Sequence, residues 1–238
     1  MESMYVITGG IKHLSLKKFR EKETNPIMTE KPILFSAPMV RALLDGSKTQ
    51  TRRIMKPQPV AIPSEPGKHW WPSNAAQSMI RIEDSFQKYP SIFDDACPHG
   101  GPGSQLWGRE TWYCDHFEVQ KGPYLEVPKA RELLVYRADN ERPYEAEQPA
   151  WRPSIHMPRW ASRILLEIVS VRVERLEDCS DADARAEGTP GGHGIIPSYN
   201  YNATPSEHFM HLWESINGVG SWAANPWVWV IEFKRVTS

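Results

Sequence analysis

The stretch "APMVRALLDGSKTQTRRIM", residues 37–55, decides how the rest of the chain is read. Pro38 suits the first turn of a helix, where its missing N–H costs little, and Gly46 suits the exit. Val40, Leu43 and Leu44 lie three to four apart and share one apolar face over one or two helical turns. The run "KTQTRRIM" then alternates as a strand does, with Lys48, Gln50 and Arg52 facing one way and Thr49, Thr51 and Arg53 the other. A short apolar run, "KPILFS" (31–36), is fit for a strand just before the helix. Between Lys31 and Lys56 six lysines and arginines stand against Asp45 alone, in a chain of 238 residues with a formal charge of -1. Such a balance excludes a general polyanion-binding coat and allows a local basic groove, because binding follows the local field.

Working outward, residues 1–30 read as a charged, poorly periodic flexible leader, with Met28 a second candidate start. Residues 31–238 read as a single domain, long enough to bury a sizeable core. Its elaboration is an irregular insertion at about 56–103, where eight prolines break regular elements and Trp70, Trp71, Tyr89 and Phe93 serve as anchors. The insertion reads as a surface excursion or as a lid over a site. "PGSQLWGRETWY" (102–113) resumes as turn and strand, and "ELLVYRAD" (132–139) is a further strand. "WRPSIHMPRWASRILLEIVSVRVERL" (151–176) begins as a loop and becomes a long strand. "SDADARAEG" (180–188) carries a capping-box signature, with Ser180 as N-cap, Asp183 at N3 and Gly188 as the stop. "SEHFMHLWESI" (206–216) is an amphipathic helix with Phe209, Leu212, Trp213 and Ile216 as its stripe, and "WVWVIEFKRV" (227–236) is a closing strand. Strands dominate and helices are few, which favours a small mixed barrel over a parallel α/β sheet.

The three cysteines do not make a disulfide framework and point to a reducing, cytoplasmic setting. No apolar run reaches the roughly 20 residues needed to cross a bilayer, so no membrane partner is expected. Nothing calls for a cofactor. "CPHGGPG" (97–103) lacks the paired ligands of a zinc site and reads as a tight turn, and "GTPGGHG" (188–194) lacks the Gly-Lys-Ser/Thr ending of a phosphate loop.

Several of these motifs together resemble the ASCH domain family in its phage and prophage branch. They are "PMVRALLDGSKTQTRRI", "PGSQLW", the acidic helix ending "AEG", the final "WVWVIEFKRV", and the longer "CPHGGPG…LWGRETW" and "WRPSIHMPRWASRI". The resemblance implies an α+β fold built on a PUA-like mixed β-barrel with a few flanking helices. It also implies binding of RNA or a modified base in a cleft between barrel and helices. One small bacterial branch of the family removes the acetyl group from N4-acetylcytidine. Its lysine, threonine and glutamate fall on Lys48, Thr51 and Glu187, the last across a large insertion.

Amide hydrolysis needs a nucleophile, a base, an acid for the leaving amine and oxyanion stabilisation. Thr51 would attack or orient water, and Glu187 would position water or pass a proton. Lys48 would act as base only with its pKa depressed from about 10.4 by burial or nearby positive charge. The duller alternative is that Lys48 and Thr51 shape a turn and Glu187 solvates a helix. A second function class is binding without chemistry. Thr49, Arg52, Arg53, Arg109, Arg159 and Arg163, with Trp107, Trp112 and Trp160, offer phosphate forks and stacking faces for a modified nucleoside or single-stranded nucleic acid. His156 and Arg159 sit in a loop that enters a strand, where polar groups can be presented into a cleft. Glu110 is either an ion-pair partner for Arg53 or Arg163 or an acid in the pocket. The third class is a phage accessory scaffold that binds a host protein.

Overall fold

The computed structural model describes residues 30–71, 80–84, 92–114, 134–139 and 151–236. Residues 1–29 of the leader and Tyr89 lie outside them, while Glu30, the last residue of the expected leader, already belongs to the first strand. The chain enters as strand β1 (Glu30–Leu34), helix α1 (Ala37–Leu44) and strand β2 (Gln50–Ile54). The Pro-rich insertion contributes strands β3 (Val60–Ala61), β4 (His69–Trp71) and β5 (Ile80–Arg81) and a short helix α2 (Ile92–Ala96). Next come β6 (Gln105–Arg109), β7 (Trp112–Cys114) and β8 (Leu134–Tyr136). Two 3-10 turns at Ser154–His156 and Arg159–Ala161 lead into the long strand β9 (Leu165–Arg175). Helices α3 (Asp181–Ala186) and α4 (Pro205–Asn217) and strand β10 (Trp227–Arg235) complete it.

One five-stranded mixed sheet organises these elements, in the order β1-β6-β9-β10-β2. Only β1 and β6 are parallel; the other pairs are antiparallel. Strands β3, β4 and β5 form a small separate sheet, and β7 and β8 a two-stranded ribbon.

β10 explains the layering. "WVWVIEF" is apolar almost throughout, the pattern of a strand covered on both faces. Trp227, Trp229, Ile231 and Phe233 point into one core with Val40 and Leu43 of α1 and with Trp71 and Phe93 of the insertion. Val228 and Val230 point into a second core with Ala184 of α3 and Phe209 and Trp213 of α4. The insertion is thus tied to the main core. Trp71 stacks on Phe93 at 5.8 Å and meets Trp229 edge-on at 5.4 Å.

This arrangement corrects the expected PUA-like barrel: the sheet is open. A barrel has one interior, whereas here helices cover one face of the sheet and α1 with the insertion covers the other. The edge strands β1 and β2 do not pair with each other. Pro32 leaves β1 short of a donor, as suits an edge. The gap is spanned by α1 and by the Arg53 side chain, whose Nη2 donates to the Leu34 carbonyl at 2.7 Å.

Local signals set the helix ends. The Ser180 hydroxyl accepts from Asp183 N at 3.1 Å, and Thr204 caps α4 in the same way through Glu207 N at 3.2 Å. Trp229→Ala should lower the unfolding free energy by about 3–5 kcal/mol, because it opens a cavity where three aromatic rings meet. Thr204→Ala should cost only about 1 kcal/mol. Urea denaturation of the two variants checks the ratio.

Candidate functional site

The turn after α1 carries Lys48 inward, where its side chain is fully buried. The Lys48 backbone N–H donates to Ala42 O, and Thr49 N–H donates to Ala186 O at 2.8 Å, so α1, β2 and the end of α3 are stitched together at this point. Gly188 permits the approach. Its φ of +88° is left-handed, and an added Cβ would lie 2.8 Å from that of Ala42.

The alternation read in "KTQTRR" is realised. Lys48, Gln50 and Arg52 all reach toward α3 and the residue that ends it. Lys48 Nζ donates to Glu187 Oε2, Glu187 O and Gln50 O, each at 2.8 Å. Gln50 Nε2 donates to Asp183 Oδ1 at 3.1 Å. Arg52 Nη1 donates to Glu187 Oε1 at 3.3 Å and its Nη2 to Glu174 Oε2 at 3.0 Å. Arg172, on β9, extends the network to Asp183 at 3.0 Å and to Glu232. Phe35 lies beneath two of these cations, 6.0 Å from Lys48 Nζ and 5.7 Å from the Arg53 guanidinium carbon.

Burial pulls the Lys48 ammonium below the usual lysine range. Glu187 opposes the shift, while Arg53 and Arg52 reinforce it. All three ammonium protons nevertheless have acceptors, so the geometry makes Lys48 a charged donor and not a free base. Burial alone would raise Asp183, but hydrogen bonds from Ser180 and Gln50 and the charge of Arg52 hold it down at about 2.

Beside this network a cleft of about 60 Å³ opens between β2 and α4. Thr51, Arg52, Arg53 and Glu187 form its polar side, and Met39, Phe209, Leu212, Trp213 and Ile216 form most of its apolar side. Thr51 is 1 % exposed, and its hydroxyl has no hydrogen-bond partner among the described residues. Lys48, Thr51, Arg52, Arg53 and Glu187 are therefore gathered in one place.

The remaining candidates are placed elsewhere. Thr49 is exposed at the strand entry. Glu110, 1 % exposed, pairs with Arg163 through two hydrogen bonds of 2.9 and 3.0 Å, and Arg163 also grips Asp139. Burial raises the Glu110 carboxyl against the pull of Arg163. Arg109 lies 4.6 Å over the Trp107 ring and donates to Ile155 O. Arg159 is paired with Glu30. Trp107 and Trp112 are buried, and Trp112 meets Trp160 edge-on at 6.0 Å. His156 is exposed on the first 3-10 turn. As placed, the two buried tryptophans cannot stack a base, and Arg159 and Arg163 are occupied by carboxylates. This is a fastening of the 151–163 loop to the sheet, outside the lining of the cleft.

"CPHGGPG" folds as successive turns; burial lifts the Cys97 thiol to about 11 and lowers His99 to about 4. Among the described residues no group of three or more His, Cys, Asp or Glu side chains is placed to hold a metal ion. No helix there is long and apolar enough to cross a membrane.

Sequence reasoning missed Phe35, Arg172, Glu174 and Asp183 as neighbours of the site, and Trp213 as its wall. One signal was present: Asp183 and Glu187 are four apart and share a helix face. Glu174 and Arg172 join from another strand, which no spacing in the sequence announces.

No family model, curated protein or solved structure matches the chain. The resemblance to ASCH proteins therefore rests on its motifs alone, and the open sheet departs from the barrel that resemblance implies.

Two outcomes test the network. Glu187→Gln leaves Lys48 and Arg52 short of a buried counter-charge and should destabilise the fold by about 3–5 kcal/mol, read by urea denaturation at neutral pH. The Asp183 carboxyl, lowered in the fold from 3.8 to about 2, adds stability that is complete above pH 4 and is lost as pH falls through 2. Asp183→Asn should flatten the acid limb of the stability curve by about 2 kcal/mol over that window.

Proposed function

We propose that the cleft takes up the N-acyl group carried on the exocyclic amine of a nucleobase or nucleoside, and that the protein hydrolyses that amide there. The observation that supports this reading is the buried Lys48–Glu187 pair beside a cleft whose lining includes Thr51, a residue with a buried hydroxyl unpartnered among the described residues. Buried charge next to a shielded hydroxyl is a setting in which proton transfer and oxyanion stabilisation are strengthened by low local dielectric.

In the reaction, Thr51 Oγ1 aligns a water for attack on the acyl carbon, and Glu187 receives the proton of that water. Lys48, hydrogen-bonded to Glu187, holds that carboxylate in place with its charge, and Glu187, which lines the cleft, passes the proton on to the departing nitrogen. The C–N bond breaks, the water hydroxyl remains on the acyl carbon, and the amine leaves with the proton. Arg53, which has no carboxylate within ion-pair distance among the described residues, keeps donors for the substrate oxygens.

A mass-spectrometric turnover screen against modified nucleosides, N4-acetylcytidine included, tests the proposal. Product should form with the intact protein and fall by at least about 100-fold in Lys48→Ala and in Thr51→Val. Glu187→Gln should lower kcat more than it raises KM. Absence of product across acylated nucleosides and acylated oligonucleotides overturns the hydrolytic reading.

A further inference from the structure

Thr51 is not the only residue of the cleft lining that has a buried polar atom without a partner among the described residues. Arg52 Nε and the Trp213 indole Nε1 are also buried without a hydrogen-bond partner among the described residues. Both residues line the cleft, at 2 % and 5 % exposure. Two N–H donors and one hydroxyl on lining residues thus have no acceptor among the described residues. Buried polar groups of this kind are seldom left unpaired, and each costs about 1–3 kcal/mol when it is.

The charge at the cleft points the same way. Arg52 is engaged by Glu187 and Glu174, but the Arg53 guanidinium bonds only the Leu34 carbonyl. One cation on the cleft wall therefore lacks a protein anion among the described residues. The opposite wall is hydrocarbon, with Leu212 and Ile216 on consecutive turns of α4. A volume of about 60 Å³ has room for roughly four to six water-sized atoms. A whole nucleoside does not fit in that space.

We infer that the cleft is a subsite for a short acyl chain and for the carboxylate it becomes, of roughly two to four carbons. The hydrocarbon lies against Leu212 and Ile216. The oxygens meet Arg53, Arg52 Nε, Trp213 Nε1 and the Thr51 hydroxyl. This deepens the hydrolytic reading and rests on it for the origin of the carboxylate: the acyl half of the substrate is gripped inside, and the base stays at the mouth. Hydrolysis moves the water hydroxyl onto the acyl carbon, the acid product gives its proton to solvent water at the mouth, and the resulting carboxylate accepts hydrogen bonds from these donors and Arg53.

The experiment is a titration of the full chain with sodium acetate, propionate, butyrate and octanoate, followed by the tryptophan indole resonances in a ¹H–¹⁵N spectrum. Sodium phosphate and sodium chloride are run beside them. One indole signal should move and saturate in the millimolar range with the three short carboxylates, and should be absent in Trp213→Phe. Arg53→Gln should weaken the binding about tenfold, the loss of one charge-assisted contact, with an unchanged thermal melt showing that it folds. A saturable shift that phosphate or chloride reproduces, or no saturable shift at all, overturns the acyl subsite. Octanoate binding as tightly as butyrate also overturns it, since the cleft would then not be sized for a short chain. The titration needs no turnover. Carboxylate binding without amide hydrolysis keeps the subsite and removes the hydrolytic reading; hydrolysis without carboxylate binding does the reverse.

Discussion

The contact on which the candidate site depends is that between the Lys48 ammonium and Glu187. A lysine removed from water requires a counter-charge and three acceptors, and all of them come from two short segments, Gln50 and Glu187. Satisfying it brings the end of α3 against the start of β2. Thr49 N–H to Ala186 O and the close seating of Gly188 on α1 follow from the same approach. Arg52 then finds Glu187, Glu174 and Asp183 around it, and Asp183 is shared with Gln50 and Arg172. Each of these carboxylates serves more than one donor. Thr51 Oγ1 and Arg52 Nε are left without partners among the described residues, on residues that line the cleft.

The sheet supplies the platform for this contact. β10 is central and buried on both faces, so it carries two cores with one run of residues. The side of the sheet that holds α1 and the insertion is filled by aromatic rings; the side that holds α3 and α4 carries the charged network and the apolar wall of the cleft. Opening the sheet at β1 and β2 has a consequence for the site. Arg53 crosses the seam to Leu34 in place of a backbone ladder, which leaves it half-buried at the cleft with donors to spare.

The aromatic and basic residues of 107–163 show how the same residue types take a different role when the geometry changes. Arg163 is clamped by Glu110 and Asp139, Arg159 by Glu30, and Trp112 is enclosed by Met157, Ala161 and Trp160. Their charges are neutralised and two of their rings are inside. The loop they fasten lies apart from the lining of the cleft, so arginine and tryptophan content by itself does not define a binding surface.

The sequence by itself determined the local elements: α1 from its proline, its apolar spacing and Gly46, α3 from the Ser180–Asp183 box, α4 from its stripe, and β10 from its apolar run. These are decided within a few residues by backbone sterics, capping and periodicity. The facing of Lys48, Gln50 and Arg52 was legible for the same reason, since a strand alternates. Glu187 was within reach because it ends a helix whose start is marked. What only the tertiary structure decided is which surfaces meet. Whether the sheet closes depends on where α1 and the insertion pack, and that is a competition among apolar faces far apart in the chain. Glu174, Arg172 and Trp213 join the site through β9 and α4, and no spacing encodes that. Whether an arginine is free or paired depends likewise on carboxylates brought from elsewhere, which is why Arg53 and Arg163, alike in sequence, have opposite roles in the fold.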